Sequence, residues 1–343
     1  MPLQQKQASL VEYLTYDDVL LLPSYSEITP PETNLETFLT HKTLLQVPII
    51  AAPMDTVCES LMARRMGELG GLGILHRNLS IEEQGKQLKE APGAGVAVGV
   101  GPDFKERVQH LVSCGATLVC IDCAHGHTKG VIEAIRALSN VEIMAGNVVT
   151  YEGAKALFDA GADIVKVGVG PGAICTTRVM AGVGAPQLTA VMECARAAEE
   201  AGKTIIADGG IKTSGDIVKA LAAGASAVML GSLLAGTEEA PGKRVGDFKE
   251  YRGMGSVAAM QKGSAERYGL KPDKPLVPQG VEGKVPYKGS LESHLYQLTE
   301  GLRAGMGYVG AADLAELREK ARFVRQTSNG LFESHPHTVI PCS

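Results

Sequence analysis

The chain has 343 residues, of which 45% are hydrophobic and 21% are charged, and its formal net charge is −5. This size allows one large domain or two ordinary ones, and the charge balance argues against binding to nucleic acids or membrane surfaces. The start resembles no secretory signal, no apolar run is long enough to span a membrane, and the seven cysteines are irregularly spaced, so we expect a cytoplasmic protein without a disulfide framework.

Eight short apolar runs recur along the chain, and most are followed by a glycine or polar turn and a stretch of helical character. They are Val47–Ala52, Leu72–His76, Gly95–Val100, Thr117–Asp122, Glu142–Asn147, Ile164–Gly168, Thr204–Asp208 and Ala227–Leu230. Such runs are typical of parallel strands buried on both faces. Eight units without a long interruption predict an α/β fold, a single-domain (β/α)8 TIM barrel over residues 1–343. A doubly wound open sheet is the alternative, but no G-x-G-x-x-G follows the first strand.

Helical stretches are predicted between these strands. They include Ser60–Leu69, Phe104–Ser113, Tyr151–Ala160, Leu188–Ala201 and Ser214–Ala223. Gly115, Gly161 and Gly224 each follow such a stretch and precede a small residue. Glycine at this place is typical of a left-handed C-cap before the next strand.

Polar residues follow several of the predicted strands at their carboxyl ends, where a barrel carries its chemistry. Asp122, Asn147 and Asp208 end the fourth, fifth and seventh strands, and Gly231 and Ser232 follow the eighth. Loops after the last two strands of a barrel commonly bind phosphate through backbone amides. Tight turns without a ligand are the alternative. The acid Asp208 is expected on ribose hydroxyls rather than on phosphate.

The loop Gly168–Thr177, after the sixth strand, is the strongest chemical signal. Its glycines at 168, 170 and 172 allow a positive φ, so that backbone groups can point at a common centre. Cys175 lies near the start of the next turn, where amide dipoles favour the thiolate. Such a thiolate is a competent nucleophile, and Thr177 supplies a nearby hydroxyl. A buried structural cysteine is the alternative.

Residues 254–289 show no clear periodicity and contain Arg267, Tyr268 and four prolines, at positions 272, 275, 278 and 286. A loop of this length in a compact domain is usually a lid or disordered. We predict a mobile lid, and we call residues 257–289 the flap.

One cluster of cysteine and histidine also suggests a metal site. Cys120, Cys123, His125 and His127 are close in sequence and are residue types that bind zinc. However, no second close pair of cysteines supplies the usual partner, so zinc remains the less favoured interpretation.

Several stretches resemble the IMP dehydrogenase and GMP reductase family, and the resemblance runs from about residue 10 to the C-terminus. These stretches are Tyr16–Pro23, Pro53–Val57, Ala145–Val149, Gly168–Gln187, Ala207–Gly210 and Tyr251–Ser256. The dehydrogenases of this family carry a flap with an Arg-Tyr pair, which the reductases lack. Ala265–Tyr268, Leu276–Gly283 and the tail Glu333–His337 resemble the dehydrogenase branch. A GMP reductase and a non-catalytic nucleotide-binding barrel remain as alternatives.

The resemblance implies a two-stage reaction. Cys175 would add to C2 of IMP, and hydride would pass to NAD, which leaves a covalent thioimidate. Arg267, helped by Tyr268 and Thr177, would then activate water to release XMP.

The resemblance also implies the binding residues. IMP would be bound by Met54, Asn147, Ala173, Asp208, Gly210, Gly231, Ser232, Tyr251, Gly253, Met254, Gly255 and Gln279. NAD would be bound by Asp122, with Cys123, Gly168 and Gly170. Potassium would be held by carbonyls of Gly170, Gly172 and Cys175, together with Glu333, Ser334 and His335 of a neighbouring subunit in a homotetramer.

The chain departs from the family pattern in two places. The family usually inserts a pair of CBS modules between the second and third barrel units, whereas only about twenty residues, 80–99, span that interval here. Ala173 stands where the family usually has a serine that contributes to phosphate binding. Losing this donor predicts weaker IMP binding, by about 1 kcal/mol.

Overall fold

The computed structural model describes residues 10–269 and 276–339. In chain order the strands are β1 (Val19–Leu21), β2 (Thr37–Phe38), β3 (Leu44–Leu45), β4 (Ile49–Ala51), β5 (Leu72–Leu75), β6 (Gly95–Val98), β7 (Leu118–Asp122), β8 (Glu142–Val148), β9 (Ile164–Val167), β10 (Thr204–Asp208), β11 (Ala227–Leu230), β12 (Arg244–Val245), β13 (Phe248–Arg252), β14 (Glu282–Pro286) and β15 (Phe323–Arg325).

Strands β4 to β11 pair in parallel and in sequence order, and β11 pairs back with β4, so the sheet is a closed barrel. The predicted (β/α)8 barrel is therefore confirmed. All eight predicted strands are present, with ends displaced by at most two residues. Their residues are almost all buried, as expected for strands covered by helices on one face and by the barrel interior on the other.

The helices are α1 (Ser60–Glu68), α2 (Ile81–Glu90), α3 (Phe104–Ser113), α4 (Lys129–Arg136), α5 (Tyr151–Ala160), α6 (Thr177–Ala181), α7 (Gln187–Ala201), α8 (Ser214–Ala222), α9 (Ser232–Ala235), α10 (Val257–Gln261), α11 (Leu291–Val309), α12 (Leu314–Lys320) and α13 (Ser328–Glu333), with 3₁₀ helices at Tyr16–Asp18, Pro30–Glu32 and Ser264–Tyr268. The five predicted helices are present. Gly115, Gly161 and Gly224 have φ values of 102°, 116° and 109°, so the predicted left-handed turns are confirmed. No helix among the described residues is both long and apolar enough to cross a membrane.

Two apolar clusters form the core. The larger lies between the barrel strands and the surrounding helices, and the smaller fills the barrel interior. The hairpin of β2 and β3 closes the amino-terminal end of the barrel, where Leu39 and Leu45 are buried against the interior cluster. Among the described residues, no such hairpin fills the barrel at the carboxyl ends of the strands.

The structure corrects the prediction that residues 254–289 form an irregular loop. The flap contains α10 and the 3₁₀ helix Ser264–Tyr268, and its last part includes β14, which pairs antiparallel with β13 in a three-stranded sheet with β12. This pairing was missed because Glu282–Pro286 is exposed over most of its length and therefore shows no hydrophobic pattern. Residues 270–275 of the flap, including Pro272 and Pro275, lie outside the described residues.

Candidate functional site

The carboxyl ends of the barrel strands surround a cavity of about 320 Å³. Most of the residues that the sequence assigned to the site line this cavity. They are Met54, Asp122, Asn147, Gly168, Gly170, Gly172, Ala173, Cys175, Thr177, Asp208, Gly210, Gly231, Ser232, Tyr251, Gly253, Met254, Gly255, Arg267, Tyr268 and Gln279. Segments far apart in the chain meet there because the carboxyl ends of parallel barrel strands share one face.

The loop after β9 brings Cys175 to the cavity. Gly168 and Gly170 have φ values of 148° and 88°, and a Cβ at Gly168 would collide with the carbonyl oxygen of Asp208. Gly172, in contrast, has no positive φ, so that part of the sequence prediction is wrong. The amide of Cys175 donates to the Gly172 carbonyl at 3.0 Å, and this turn leaves the thiol half-buried.

The thiol of Cys175 has one hydroxyl neighbour. Its Sγ lies 3.2 Å from Oγ1 of Thr177, the first residue of α6. The backbone beside it pairs with the end of the flap, since the Thr176 amide donates to the Gln279 carbonyl at 2.9 Å and the Val281 amide donates to Ile174 at 3.0 Å. The Gly168–Thr177 loop and residues 279–281 of the flap are therefore joined by backbone hydrogen bonds.

A buried lysine that the sequence analysis missed connects the two acidic residues of the site. Nζ of Lys166, in β9, donates to Asp122 at 2.8 Å and to Asp208 at 3.0 Å. Asn147 donates to the same Asp208 oxygen at 2.8 Å. Burial alone would lower the pKa of Lys166, but the charge and hydrogen bond of Asp208, together with Cys120 and Cys123, outweigh burial, so the pKa is raised and the lysine is a cation. Two carboxylates and one ammonium thus form a fixed charged network along the cavity.

The flap places Arg267 and Tyr268 in the same cavity. Arg267 contacts the Asp122 carboxylate with its guanidinium, and only 14% of its side chain is exposed. Burial lowers the pKa of Arg267, and Arg77 acts in the same direction. Burial also raises the pKa of Tyr268. A Cβ at Gly255 would collide with the Tyr268 hydroxyl, so the absence of a side chain at Gly255 makes room for this ring.

Further contacts hold the flap against the barrel. Ser264 donates its hydroxyl to the Met254 carbonyl, and the Ala124 amide donates to the Arg267 carbonyl at 3.1 Å. Glu266 accepts from Nη1 of Arg77 at 3.0 Å. Strand β13, which leads into the flap, is itself anchored because Arg252 makes two hydrogen bonds to Asp55, at 3.0 and 2.6 Å.

The opposite side of the cavity is built from glycine turns. Gly209 and Gly210, after β10, have φ values of 96° and 80°. Gly231, after β11, faces the Tyr251 hydroxyl, and a Cβ at Gly231 would come within 2.8 Å of it. These turns bring backbone close to the cavity, which suits a ligand bound by amides.

Four predicted site residues do not line the cavity. Cys123 is buried, and burial raises its pKa to about 11. Glu333, Ser334 and His335 are exposed at the end of α13. The sequence analysis expected these three from a neighbouring subunit, and the single chain is consistent with that expectation without testing it.

The zinc interpretation gains no support. The described residues contain no group of three or more His, Cys, Asp or Glu side chains that could hold a metal ion. Cys120 and Cys123 are both buried, and burial raises the pKa of each to about 11, so both are thiols at neutral pH. His125 and His127 are exposed.

Comparison with known proteins agrees with this architecture. A family model described as "IMP dehydrogenase / GMP reductase domain" matches residues 13–337. The chain belongs to the IMP dehydrogenase / GMP reductase family. It is 44% identical to the inosine-5'-monophosphate dehydrogenase of Cryptosporidium parvum, with 95% of each chain covered. It is 40% identical to the proteins of that name from Bacillus subtilis and Aquifex aeolicus, with 96% and 97% of each chain covered.

The alignments to these IMP dehydrogenase / GMP reductase relatives also differ in length. The alignment to the Bacillus protein spans 468 positions although this chain has 343 residues, so that relative contains segments that this chain lacks. The alignment to the Cryptosporidium protein spans 380 positions. Both reactions named for the family are oxidoreductions, and membership therefore supports an oxidoreductase.

Proposed function

We propose that this chain is an IMP dehydrogenase that oxidises IMP to XMP with NAD. The observation that carries the proposal is that Arg267 and Tyr268 reach from the flap into the cavity that contains Cys175. By resemblance, a flap with this pair distinguishes the dehydrogenases from the reductases. The relatives named inosine-5'-monophosphate dehydrogenase, at 40–44% identity, support the same choice.

The first stage depends on Cys175. Its thiolate adds to C2 of IMP and forms a carbon–sulfur bond, after which C2 loses hydride and the purine stays attached as a thioimidate. Asp208, held by Asn147 and Lys166, is the group we assign to the ribose hydroxyls of IMP. The glycine turns at Gly209–Gly210 and Gly231 are the backbone that we assign to its phosphate. When bound, NAD supplies the acceptor for the hydride.

Asp122 is the residue that we assign to the nicotinamide end of NAD. In the described arrangement Arg267 occupies this carboxylate, and the remaining cavity of about 320 Å³ lies near the lower end of the range for one ligand, about 300–1,000 Å³. We infer that the flap and the nicotinamide end of NAD use the same place in turn. Asp122, which keeps its bond to Lys166, then has NAD as a further partner in the first stage and the flap as a further partner when the flap replaces NAD.

The second stage depends on Arg267. Water attacks C2, Arg267 takes the proton, and the carbon–sulfur bond breaks, so that Cys175 leaves as a thiolate. Burial favours this role because it lowers the pKa of Arg267, whereas contact with Asp122 stabilises the guanidinium cation. Arg267 must therefore leave Asp122 before it accepts the proton. Tyr268 and the hydroxyl of Thr177 are the groups that we expect to help Arg267 activate this water.

Potassium and the homotetramer belong to the same proposal. Gly170, Gly172 and Cys175 belong to one short loop, and backbone carbonyl oxygens suit a potassium ion. Glu333, Ser334 and His335 are exposed and do not line the cavity of their own chain, so we assign them to the potassium site of a neighbouring subunit. The test compares the dependence of activity on potassium concentration in the wild type and in Glu333→Gln.

We also propose that the chain lacks the CBS pair of its longer relatives. Strand β5 ends at Leu75 and β6 begins at Gly95, and α2 occupies most of the interval. An ordinary crossover helix thus connects these strands directly. The extra positions in the Bacillus alignment support this interpretation.

The test measures NADH formation from IMP and NAD with potassium present. The wild type should form NADH continuously, and Cys175→Ala should form none. Arg267→Ala should give one rapid burst of NADH and then turn over about 10²- to 10⁴-fold more slowly, because only the second stage has lost its base. Lys262→Ala, an exposed flap residue, is the matched control and should behave as wild type.

Other outcomes identify the alternatives. Oxidation of NADPH with GMP, together with no NADH from IMP, would show a GMP reductase. Binding of IMP without turnover in either direction would show a non-catalytic barrel. A Cys175→Ala variant that still forms NADH would contradict the covalent mechanism.

A further inference from the structure

A buried arginine beneath the flap has no role in the reaction described so far. Arg77 follows β5 at the carboxyl end of the barrel, and only 8% of its side chain is exposed. Its Nη1 donates to Glu266 of the flap at 3.0 Å. Its Nη2 is buried and has no hydrogen-bond partner among the described residues, and the same holds for Oε1 of Glu266. A buried guanidinium that leaves a donor unused indicates a second partner.

The space around this ion pair is made by glycines. A Cβ at Gly99 would collide with the Arg77 guanidinium, and a Cβ at Gly101 would collide with the Glu266 carboxylate. Gly99 directly follows β6, and Gly101 lies slightly further along the chain. An acidic group can therefore reach Arg77 only because the neighbouring backbone carries no side chains.

The two charges of the flap are consecutive and meet two opposite charges of the barrel. Glu266 meets the cation Arg77, and Arg267 meets the anion Asp122. When the Ser264–Tyr268 segment of the flap leaves, Arg77 loses Glu266, and Asp122 loses Arg267 and keeps only Lys166. A buried charge without a partner is costly, so the ligand that replaces this segment has to carry an anion near Arg77, and a cation near Asp122 would replace the contact of Arg267.

Oxidised NAD has this pattern of charges. Asp122 would meet the cationic nicotinamide end, and Arg77 would meet the phosphates one nucleoside away. We propose that Arg77 binds the pyrophosphate of NAD and that Glu266 takes its place when the flap closes. The inference rests on the proposed function and deepens it. Glu266 and Arg267 together then imitate the charges of the cofactor, and each barrel group exchanges one partner for another.

The test measures the dissociation constants of NADH and of dihydronicotinamide riboside, which has the same uncharged ring but no phosphate, and both are followed by the fluorescence of the ring. Arg77→Met should weaken NADH binding about tenfold, the loss expected for one charge-assisted hydrogen bond, and should leave riboside binding unchanged. Arg77→Lys should restore most of the NADH affinity. Glu266→Gln should tighten NADH binding about threefold, but only when Arg77 is present, because it removes the competing anion.

A matched control is Arg107→Met. Arg107, on α3, also has a mostly buried side chain, 11% exposed, and its guanidinium donates to Asp103, to Gln84 and to the Leu79 carbonyl rather than to a flap residue. Its loss should leave the affinity for both ligands unchanged. Equal weakening of NADH and of the riboside by Arg77→Met would overturn the proposal, as would unchanged NADH affinity. A wild-type protein that binds no NADH would instead contradict the proposed function.

Discussion

The two ends of the barrel interior are filled by different kinds of side chain, mainly apolar at the amino-terminal end and charged at the carboxyl end. At the amino-terminal end the hairpin of β2 and β3 buries Leu39 and Leu45 against the interior, and Glu142 is satisfied by hydroxyls of Thr40 and Thr43. At the carboxyl end the interior is charged, and Lys166 is held between two carboxylates around a cavity. The contacts at the amino-terminal end stabilise the fold, whereas those at the carboxyl end hold polar groups in place for a ligand.

The largest expected effect comes from breaking the charged network. Lys166→Met leaves Asp122 and Asp208 close together without their shared cation, so we expect a loss of about 3–5 kcal/mol in the free energy of unfolding. IMP binding should weaken as well, since Asp208 loses a group that positions it. Denaturant unfolding and IMP titration measure the two effects.

A second buried lysine sharpens this result. Lys249 is 4% exposed and donates to the carbonyls of Thr237, Glu238 and Ala240, away from the cavity. Lys249→Met should destabilise the fold but leave the IMP dissociation constant unchanged. If both lysine variants changed IMP affinity equally, the effect of Lys166 would be one of stability alone.

The next effect tests the amino-terminal plug. Leu39 is fully buried, so Leu39→Ala should leave a cavity and lower the free energy of unfolding by about 2–5 kcal/mol. Because the plug lies at the far end from Cys175, turnover per folded molecule should stay within about twofold of wild type. Thermal unfolding and active-site-normalised kinetics measure the two quantities. A large loss of turnover in the folded variant would show that the two ends are coupled.

A smaller effect is expected at Glu142, which is 6% exposed. Glu142→Gln replaces charge-assisted hydrogen bonds from Thr40 and Thr43 by neutral ones, and we expect a loss of about 1–2 kcal/mol in stability. Denaturant unfolding measures it. The IMP dissociation constant serves as the control, and a change in it would contradict the separation of the two ends.

The smallest effect is expected at the exposed Ala173, on the Gly168–Thr177 loop. Ala173→Ser restores a hydroxyl donor at the cavity and should tighten IMP binding by about 1 kcal/mol, with no change in stability. Isothermal titration with IMP measures the difference. An unchanged dissociation constant would mean that backbone amides already satisfy the phosphate.

Lys166 and the flap show where sequence reasoning stopped. The strand Ile164–Val167 was predicted correctly, but a single lysine in an apolar run does not reveal which partners it meets across the barrel. The flap strand Glu282–Pro286 was missed because its pairing with β13 is formed at long range and leaves it mostly exposed. The ion pair of Arg77 and Glu266 joins residues 189 positions apart, and no local pattern predicts it.

The sequence by itself determined the barrel, its glycine caps and the glycine-rich loop Gly168–Thr177, because strand burial, left-handed turns and backbone bends depend on residues close together in the chain. The family resemblance added most of the residues that line the cavity. Only the tertiary structure decided which charges meet: Lys166 with Asp122 and Asp208, Arg267 with Asp122, and Glu266 with Arg77. Such pairs form where folding brings distant segments together, and buried charges are stable only when their partners are in reach.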